Sequence, residues 1–299
     1  MRSYTSLGGN LLSQLREFRD LARGARNCNP AGAVEHLSQI CFAAEQAYQQ
    51  QTGRDLQNTK ALEIGPGTAM GQLLYFAQKC DVVGIDLDVM ASGWNPLNYL
   101  RVLRGNGLKR FLKTIGRKMI VSDRVFREAI RKKLGVAKLR HPKIMQMDAA
   151  RMSFADATFD FVYSFNVFEH IPDPAAVLRD VRRVLKPGGV VYTHLHLFTC
   201  DSGFHDLRII SGKHEGIPYW AHLRPSQRDQ VKASSYLNGL RLGEWQKILA
   251  EALPGASINY HRDENLRGEL DALRKAGELA EYSDDELLIH SIISVWKKP

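Results

Sequence analysis

The residues best placed to do chemistry in this chain are carboxylates and histidines set beside glycine turns. Leu62-Glu63-Ile64 is an apolar run holding one acid, and it passes directly into Gly65-Pro66-Gly67, with Gly71 four residues further on. Without a Cβ, the backbone at positions 65 and 67 can adopt φ > 0 and let a ligand lie against the main chain, and Gly71 lets the following helix pack close to its strand. Val82-Val83-Gly84-Ile85 then leads to Asp86, at the position where a doubly wound sheet holds a ribose hydroxyl. A dinucleotide fingerprint puts its third glycine three residues after the second. Here the interval from Gly67 to Gly71 is four, which disfavours a nicotinamide or flavin. The plain alternative is an ordinary strand-to-helix connection.

Met147-Asp148-Ala149 follows a short apolar run and can close over an adenine, the carboxylate accepting from the exocyclic amine and the next backbone N–H meeting a ring nitrogen. Phe159 to Asn166 reads as a strand with Ser164 and Asn166 at its carboxyl end, the edge where ligands gather in open α/β sheets. Five of the ten histidines, His194, His196, His205, His214 and His222, fall between the next strand and the segment that follows it. Alternation puts His194 and His196 on one strand face. Asp201 or Asp206 could join them around a metal, but the spacing matches no strong zinc or iron pattern, so no metal is expected. His205-Asp206, in a glycine-flanked loop, could take a proton from a hydroxyl; the plainer reading is a polar loop histidine. Pro218-Tyr219-Trp220-Ala221-His222 fits an acceptor wall, with Tyr219, Trp220 and His222 beside His194 and His196, and fits buried core equally well.

The elements that must position these groups alternate strand and helix. Residues 11 to 50 read as helices, with Val34, Leu37, Ile40, Cys41, Ala44 and Tyr48 at helical spacing and Gly53 as the break. A helix is expected from Gly71 to Lys79, and Asp173 can cap another that begins at Pro174. Val184 to Tyr192 ends that helix with Pro187, Gly188 and Gly189 and starts a fifth strand. Glu244 to Ala252 is a further helix stopped by Pro254-Gly255, and Ser257 to Tyr260 and Ile289 to Trp296 are the last two strands.

Taken in this order, residues 59 to about 198 resemble the class I S-adenosylmethionine-dependent methyltransferases, and Asn166-Val167-Phe168-Glu169-His170-Ile171-Pro172-Asp173 looks like the small-molecule branch of that family. The resemblance implies a Rossmann-like, doubly wound sheet of seven mostly parallel strands, the last antiparallel, with helices on both faces. It implies S-adenosylmethionine as cofactor. Glu63, Gly65, Pro66, Gly67 and Gly71 would form the turn that takes the methionine part, Asp86 and Leu87 would meet the ribose, Asp148 and Ala149 the adenine, and Ser164 and Asn166 the edge near the sulfonium. His170 is read as positioning that loop. A leading segment, residues 1–58, often serves this family as a lid; residues 59–299 would be the catalytic domain.

The departure from the family lies between Asp86 and Asp148, where a helical insertion at about 89–142 is expected. From Arg101 to Lys143 there are fifteen lysines and arginines against two acids, Asp123 and Glu128, so the formal net charge of +9 is local and the remainder is acidic. Leu108, Phe111, Leu112, Ile115 and Met119 mark one apolar stripe and Val125, Phe126, Ala129, Ile130 and Leu134 another, with Ser122 or Asp123 as a cap. Such helices suit a solvated face packed on the domain, an anionic lipid surface or lipid-linked acceptor, or, with less support because aromatics are not interleaved, nucleic acid.

With 44% hydrophobic and 24% charged residues, 299 residues suffice for one large α/β core with additions. No run of about eighteen apolar residues occurs, so no membrane-crossing helix is expected. Met1 to Arg26 carries Glu17 and Asp20 among its arginines and reads as neither a secretory nor a transit peptide. Cys28, Cys41, Cys80 and Cys200 form no CxxC pair, which fits a reducing cytoplasm, peripheral to a membrane if the insertion binds lipid. Thr199-Cys200 superficially resembles an RNA cytosine-C5 methyltransferase, but Ser164-Phe165-Asn166-Val167 lacks that group's Pro-Cys, and the Asn-Pro-Pro-Tyr motif of exocyclic-amine enzymes is missing too. The expected activity is methyl transfer, at oxygen, to a small molecule or glycan. An RNA-modifying enzyme and a non-catalytic S-adenosylmethionine-binding module are the alternatives.

Overall fold

The computed structural model describes residues 30–88, 100, 103–104, 107, 122–206, 209 and 216–299. Residues 11–29, the stripe from Leu108 to Met119 and His214, for which the sequence raises expectations, lie outside the described residues. In chain order the elements are α1 (Pro30–Thr52), β1 (Lys60–Ile64), α2 (Gly71–Phe76), β2 (Asp81–Asp86), α3 (Ser122–Lys133), β3 (Lys143–Gln146), β4 (Phe159–Phe165), α4 (Pro174–Val184), β5 (Leu185–His196), α5 (Leu242–Ala252), β6 (Ser257–Arg262), α6 (Arg267–Lys275), α7 (Asp284–Leu288) and β7 (Ile289–Lys297). The strands form a seven-stranded sheet in the order β3-β2-β1-β4-β5-β7-β6. β1 pairs in parallel with both β2 and β4, and β2 with β3, whereas β7 runs antiparallel to β6. This is the doubly wound topology expected, with the reversed last strand.

The chain divides into two compact units. One holds the described residues up to Tyr163 together with Asp180–Val190 and Lys297–Pro299; the other holds Ser164–Arg179 and the described part of Val191–Trp296.

In the first unit, Ala61, Leu62, Glu63 and Ile64 are all buried, the continuous run typical of a parallel strand covered on both faces. Val34, Leu37, Cys41, Ala44 and Tyr48 are buried along α1, and the Tyr48 ring meets Phe161 edge-on at 5.3 Å. α1 and β1 therefore share one unit. α2 ends at Phe76, three residues short of the expected Lys79, because Ala77 to Cys80 close in successive turns whose amides return to Leu73, Tyr75 and Phe76. α3 packs on α1, with Ile130 buried, and Lys133 Nζ reaches Glu35 at 2.6 Å. The second basic stripe is thus mainly a packing face, although Val125 stays exposed.

Arg183, near the end of α4, fixes the connection after β3. Its guanidinium donates to the carbonyls of Phe154 and Met152, both at 2.7 Å, and pairs with Asp180 and Asp156, while the Met152 amide donates to Asp180 at 2.6 Å. α4 starts as expected, Asp173 Oδ1 accepting from the Ala176 amide.

In the second unit, Trp220, Leu223, Leu270, Leu273, Leu279, Leu287 and Leu288 make one apolar cluster. α6 and α7, which contribute to it, were not expected from the sequence. α7 begins with a reciprocal cap, Ser283 Oγ accepting from the Glu286 amide while the Glu286 carboxylate accepts from the Ser283 amide. Arg224 grips Glu278 with two nitrogens at 2.6 and 2.8 Å, tying the 216–224 segment to the end of α6.

Candidate functional site

The glycine turn is built as its residues require. Gly65 (φ 72°) and Gly67 (φ 61°) take left-handed backbone, and Met70 does the same (φ 54°) just before α2. The Gly65 amide donates to the Ile85 carbonyl at 2.9 Å, which sets the turn against the end of β2. Among the described residues, nothing lies within 4 Å of a Cβ added at Gly67. Gly71 serves a different purpose from the one expected. A Cβ would strike Leu37 of α1 at 2.3 Å and Phe126 of α3 at 3.3 Å, so the bare position admits those two side chains rather than its own strand. The close helix-to-strand approach belongs to Gly84, where a Cβ would meet Leu73 at 2.8 Å and Pro66 at 3.2 Å. In the sequence Gly84 stands out only as part of a strand.

Three carboxyls stand near these strand ends in different states. Glu63 is fully buried, and burial drives its carboxyl up to about 8, with Asp86 adding repulsion; the Tyr163 hydroxyl, donating at 3.1 Å, pulls the other way without prevailing. Glu63 is therefore neutral at pH 7. Asp86 is half-buried, and its Oδ1 accepts from the Asp88 amide at 2.9 Å, leaving the neighbouring Leu87 exposed with its carbonyl held by Gln146. Asp148 makes the same turn, its Oδ1 accepting from the Ala150 amide at 2.9 Å, and Ala149 is buried beside it. β2 and β3 are neighbours, and the Met147 amide donates to the Asp86 carbonyl at 2.9 Å, so the two expected nucleoside contacts stand at adjacent strand tips. A cleft of about 980 Å³ lies at the opposite ends of these strands, lined by Lys60, Asp81 and Lys143 among others, and contains none of these groups.

In the second unit the polar groups are mostly side chains. Ser164 is buried, and Asn166 (φ 53°) donates its amide to the His194 carbonyl at 2.7 Å. Phe168–His170 forms a single 3-10 turn, held by Asn238, whose side chain donates to the carbonyls of Phe168 (2.9 Å) and Ile171 (3.0 Å). Glu169 is buried, and among the described residues no well-formed hydrogen bond reaches its carboxyl; burial pushes it up to about 8 against the pull of its own amide and that of His196. His170 donates Nδ1–H to the Tyr236 carbonyl at 2.7 Å, so its Nε2 carries the lone pair. The sequence points this histidine to a positioning role only, and nothing in it marks Tyr236, Asn238 or His290.

His205 (φ 49°) sits with Nε2 at 2.9 Å from His196 Nδ1 and its ring 4.9 Å from that of His170. Burial drives its pKa down to about 4. It is neutral at pH 7, but so weakly basic and so engaged that the general-base role expected of it does not suit the place it occupies. Asp206 is buried, accepts from the Lys232 amide at 2.9 Å and bridges to Ala233; it holds the loop. His194 lies edge-on to Phe165. Trp220 is wholly buried in the apolar cluster and donates Nε1–H to the Leu287 carbonyl at 3.2 Å, and Tyr219 packs on the same cluster, so the core reading of this segment prevails for Trp220. His222, between Phe198 and Phe204, donates Nε2–H to the Phe198 carbonyl at 2.7 Å, and burial holds it down at about 4.

A family model described as a methyltransferase domain matches residues 100–193. The sterol 4-C-methyltransferase of Caenorhabditis elegans is 42% identical over 52 residues, 17% of this chain and 16% of that protein. The sterol 24-C-methyltransferase of Gibberella zeae is 40% identical over 57 residues, 19% of this chain and 15% of that protein. An uncharacterized Escherichia coli protein, YafE, is 32% identical over 104 residues, 35% of this chain and 42% of its own length. The chain thus spans only about a sixth of the sterol enzymes it matches. Among solved structures, phosphoethanolamine N-methyltransferase 2 of Haemonchus contortus, in complex with S-adenosyl-L-methionine, covers 85% of this chain with 52% of its own at 17% identity and a TM-score of 0.43. With the glycine turn and acid-tipped strands in place on a doubly wound sheet, and a methyltransferase-domain match running from the basic insertion to β5, the chain is similar to the class I S-adenosylmethionine-dependent methyltransferases.

Proposed function

We propose that the chain transfers the methyl group of S-adenosylmethionine to a hydroxyl oxygen of a small-molecule acceptor. The observation that carries this reading is the left-handed backbone at Gly65 and Gly67, followed at adjacent strand tips by the carboxylates of Asp86 and Asp148. The first supplies close main-chain approach for the methionine part, and the carboxylates accept from the ribose hydroxyls and the adenine amine. S-adenosylmethionine brings a methyl carbon made electrophilic by a positively charged sulfur. The chain's work is to bind, align and exclude water, since attack must come in line with the breaking bond.

A hydroxyl acceptor must also lose a proton. His170 suits that task better than His205, because its Nδ1–H is spent on Tyr236 and burial lowers its pKa, leaving Nε2 a free base at neutral pH. A lipid-borne acceptor is a second reading, supported by the exposed Arg124 and Lys132 of α3.

The test is labelled cofactor with a panel of hydroxylated phenols, quinols, sterols and sugars, read by mass spectrometry. The expected result is O-methyl product, lost in Asp86→Ala and reduced in His170→Gln with cofactor affinity unchanged. Transfer to amines alone, or undiminished turnover in His170→Gln, would overturn the oxygen assignment.

A further inference from the structure

Three side chains that the sequence keeps far apart meet at the end of β5. His196 closes that strand, Cys200 follows it by four residues, and His290 is the second residue of β7; the Leu197 amide, donating to the His290 carbonyl at 2.9 Å, ties the two segments together. His196 Nε2 lies 3.0 Å from His290 Nε2 and 3.5 Å from Cys200 Sγ, and all three atoms fall within 4.8 Å of one another. A tetrahedral zinc with Zn–N of 2.0–2.1 Å and Zn–S of 2.3 Å sets ligand atoms about 3.3 Å (N to N) and about 3.6 Å (N to S) apart. The two separations at His196 Nε2 fall short of those edges by about 0.3 Å or less.

We infer that His196, Cys200 and His290 form a binding site for one divalent ion of the zinc class, with three protein ligands and a fourth position left for water or another ligand. Thiolate with imidazole is the donor set that selects a borderline-soft ion over magnesium or calcium. Two further observations support the assignment. The other nitrogen of His196, Nδ1, is engaged by His205 Nε2 at 2.9 Å, the outer contact that fixes the tautomer and ring orientation of a ligating histidine. Burial also holds His196 and His290 below the usual histidine range, so both are neutral at pH 7; the hydrogen that joins their Nε2 atoms would pass to the Nδ1 of its own ring on ion binding, and the buried Cys200 thiol, which is pushed up, would release its proton to the ion's charge. The charge of Asp201 favours the protonated form of His290 and would compensate a bound cation.

The experiment uses the full chain, freed of any affinity tag and dialysed against chelator, then titrated with Co²⁺ and with Zn²⁺. One ion per chain is expected, with the visible bands of four-coordinate cobalt and a near-ultraviolet thiolate-to-cobalt band. Cys200→Ser should remove the thiolate band while Cys41→Ser and Cys80→Ser keep it. His290→Ala should weaken binding at least tenfold, and His205→Asn by about 10–100-fold as an outer contact. If either ligand variant fails to fold by circular dichroism, X-ray absorption on the zinc-loaded wild type decides by the presence of one sulfur neighbour. Folded wild type that takes up no stoichiometric ion, a first shell without sulfur, or a thiolate band that survives Cys200→Ser would each overturn the site.

Discussion

The turn after β1 and the cluster after β5 present polar atoms in opposite ways. At Gly65 and Gly67 the chain offers bare backbone, with two carboxylates close behind at neighbouring strand tips. Around His196 it offers ring nitrogens, a thiol and a buried carboxyl, drawn from residues 169 to 290 and packed against one another. The first arrangement demands particular residue types in one contiguous loop and tolerates little change of sequence spacing. The second demands only that several distant segments converge, so its members carry no local mark.

That contrast can be broken most sharply at Asp86. Replacing it with alanine should lower S-adenosylmethionine affinity about a hundredfold, since bonds to a charged acceptor are each worth about 1.5–3 kcal/mol, while leaving the melting temperature near wild type. Calorimetry showing less than a threefold loss would mean that backbone and carboxylates do not act together. A pH series sharpens it next. Glu63, raised to about 8 when folded, contributes stability that is complete below about pH 4.5 and is lost as pH rises through 8; His205 and His222, lowered to about 4, contribute stability that is complete above about 6.5 and is lost as pH falls through 4. Glu63→Gln should therefore flatten the alkaline side of a chemical-denaturation profile and leave the acid side unchanged. Glu169, also raised to about 8, keeps some alkaline slope in that variant.

Gly71→Ala follows, at about 1–3 kcal/mol of destabilisation, because Leu37 and Phe126 must move to admit the new methyl. Equilibrium urea unfolding measures it. The smallest effect belongs to the exposed pair of Lys133 and Glu35, where Lys133→Ala should lower stability only slightly, and less still in high salt. A larger loss there would give the basic helix a greater share in holding α1 than its burial indicates.

What the sequence made legible follows the same division. The buried strands, the glycine turn, Asp86 and Asp148 could be read because each leaves a local signature: a continuous apolar run, a residue without Cβ, an acid at a strand end. Gly71 was assigned the wrong neighbour because a missing side chain reveals that something comes close but not what. His205 and Asp206 looked like a reactive pair because adjacency in the chain was the visible fact; in space His205 turns to His196 while Asp206 turns to the Lys232 amide. His290 gave no signal at all, since nothing in Ile289-His290-Ser291 differs from an ordinary strand.

The Arg183 fork has a consequence for binding entropy. It and Asp180 immobilise the segment from Met152 to Asp156, a few residues past Ala149, through main-chain carbonyls and an amide. Ordering a residue costs roughly 1–2 kcal/mol of conformational freedom, and here folding has already met that cost before any nucleoside arrives. Arg183→Lys, which keeps the charge but not the fork, should therefore let this segment exchange its amides faster with deuterium and slow the capture of adenine from a helix that never touches it.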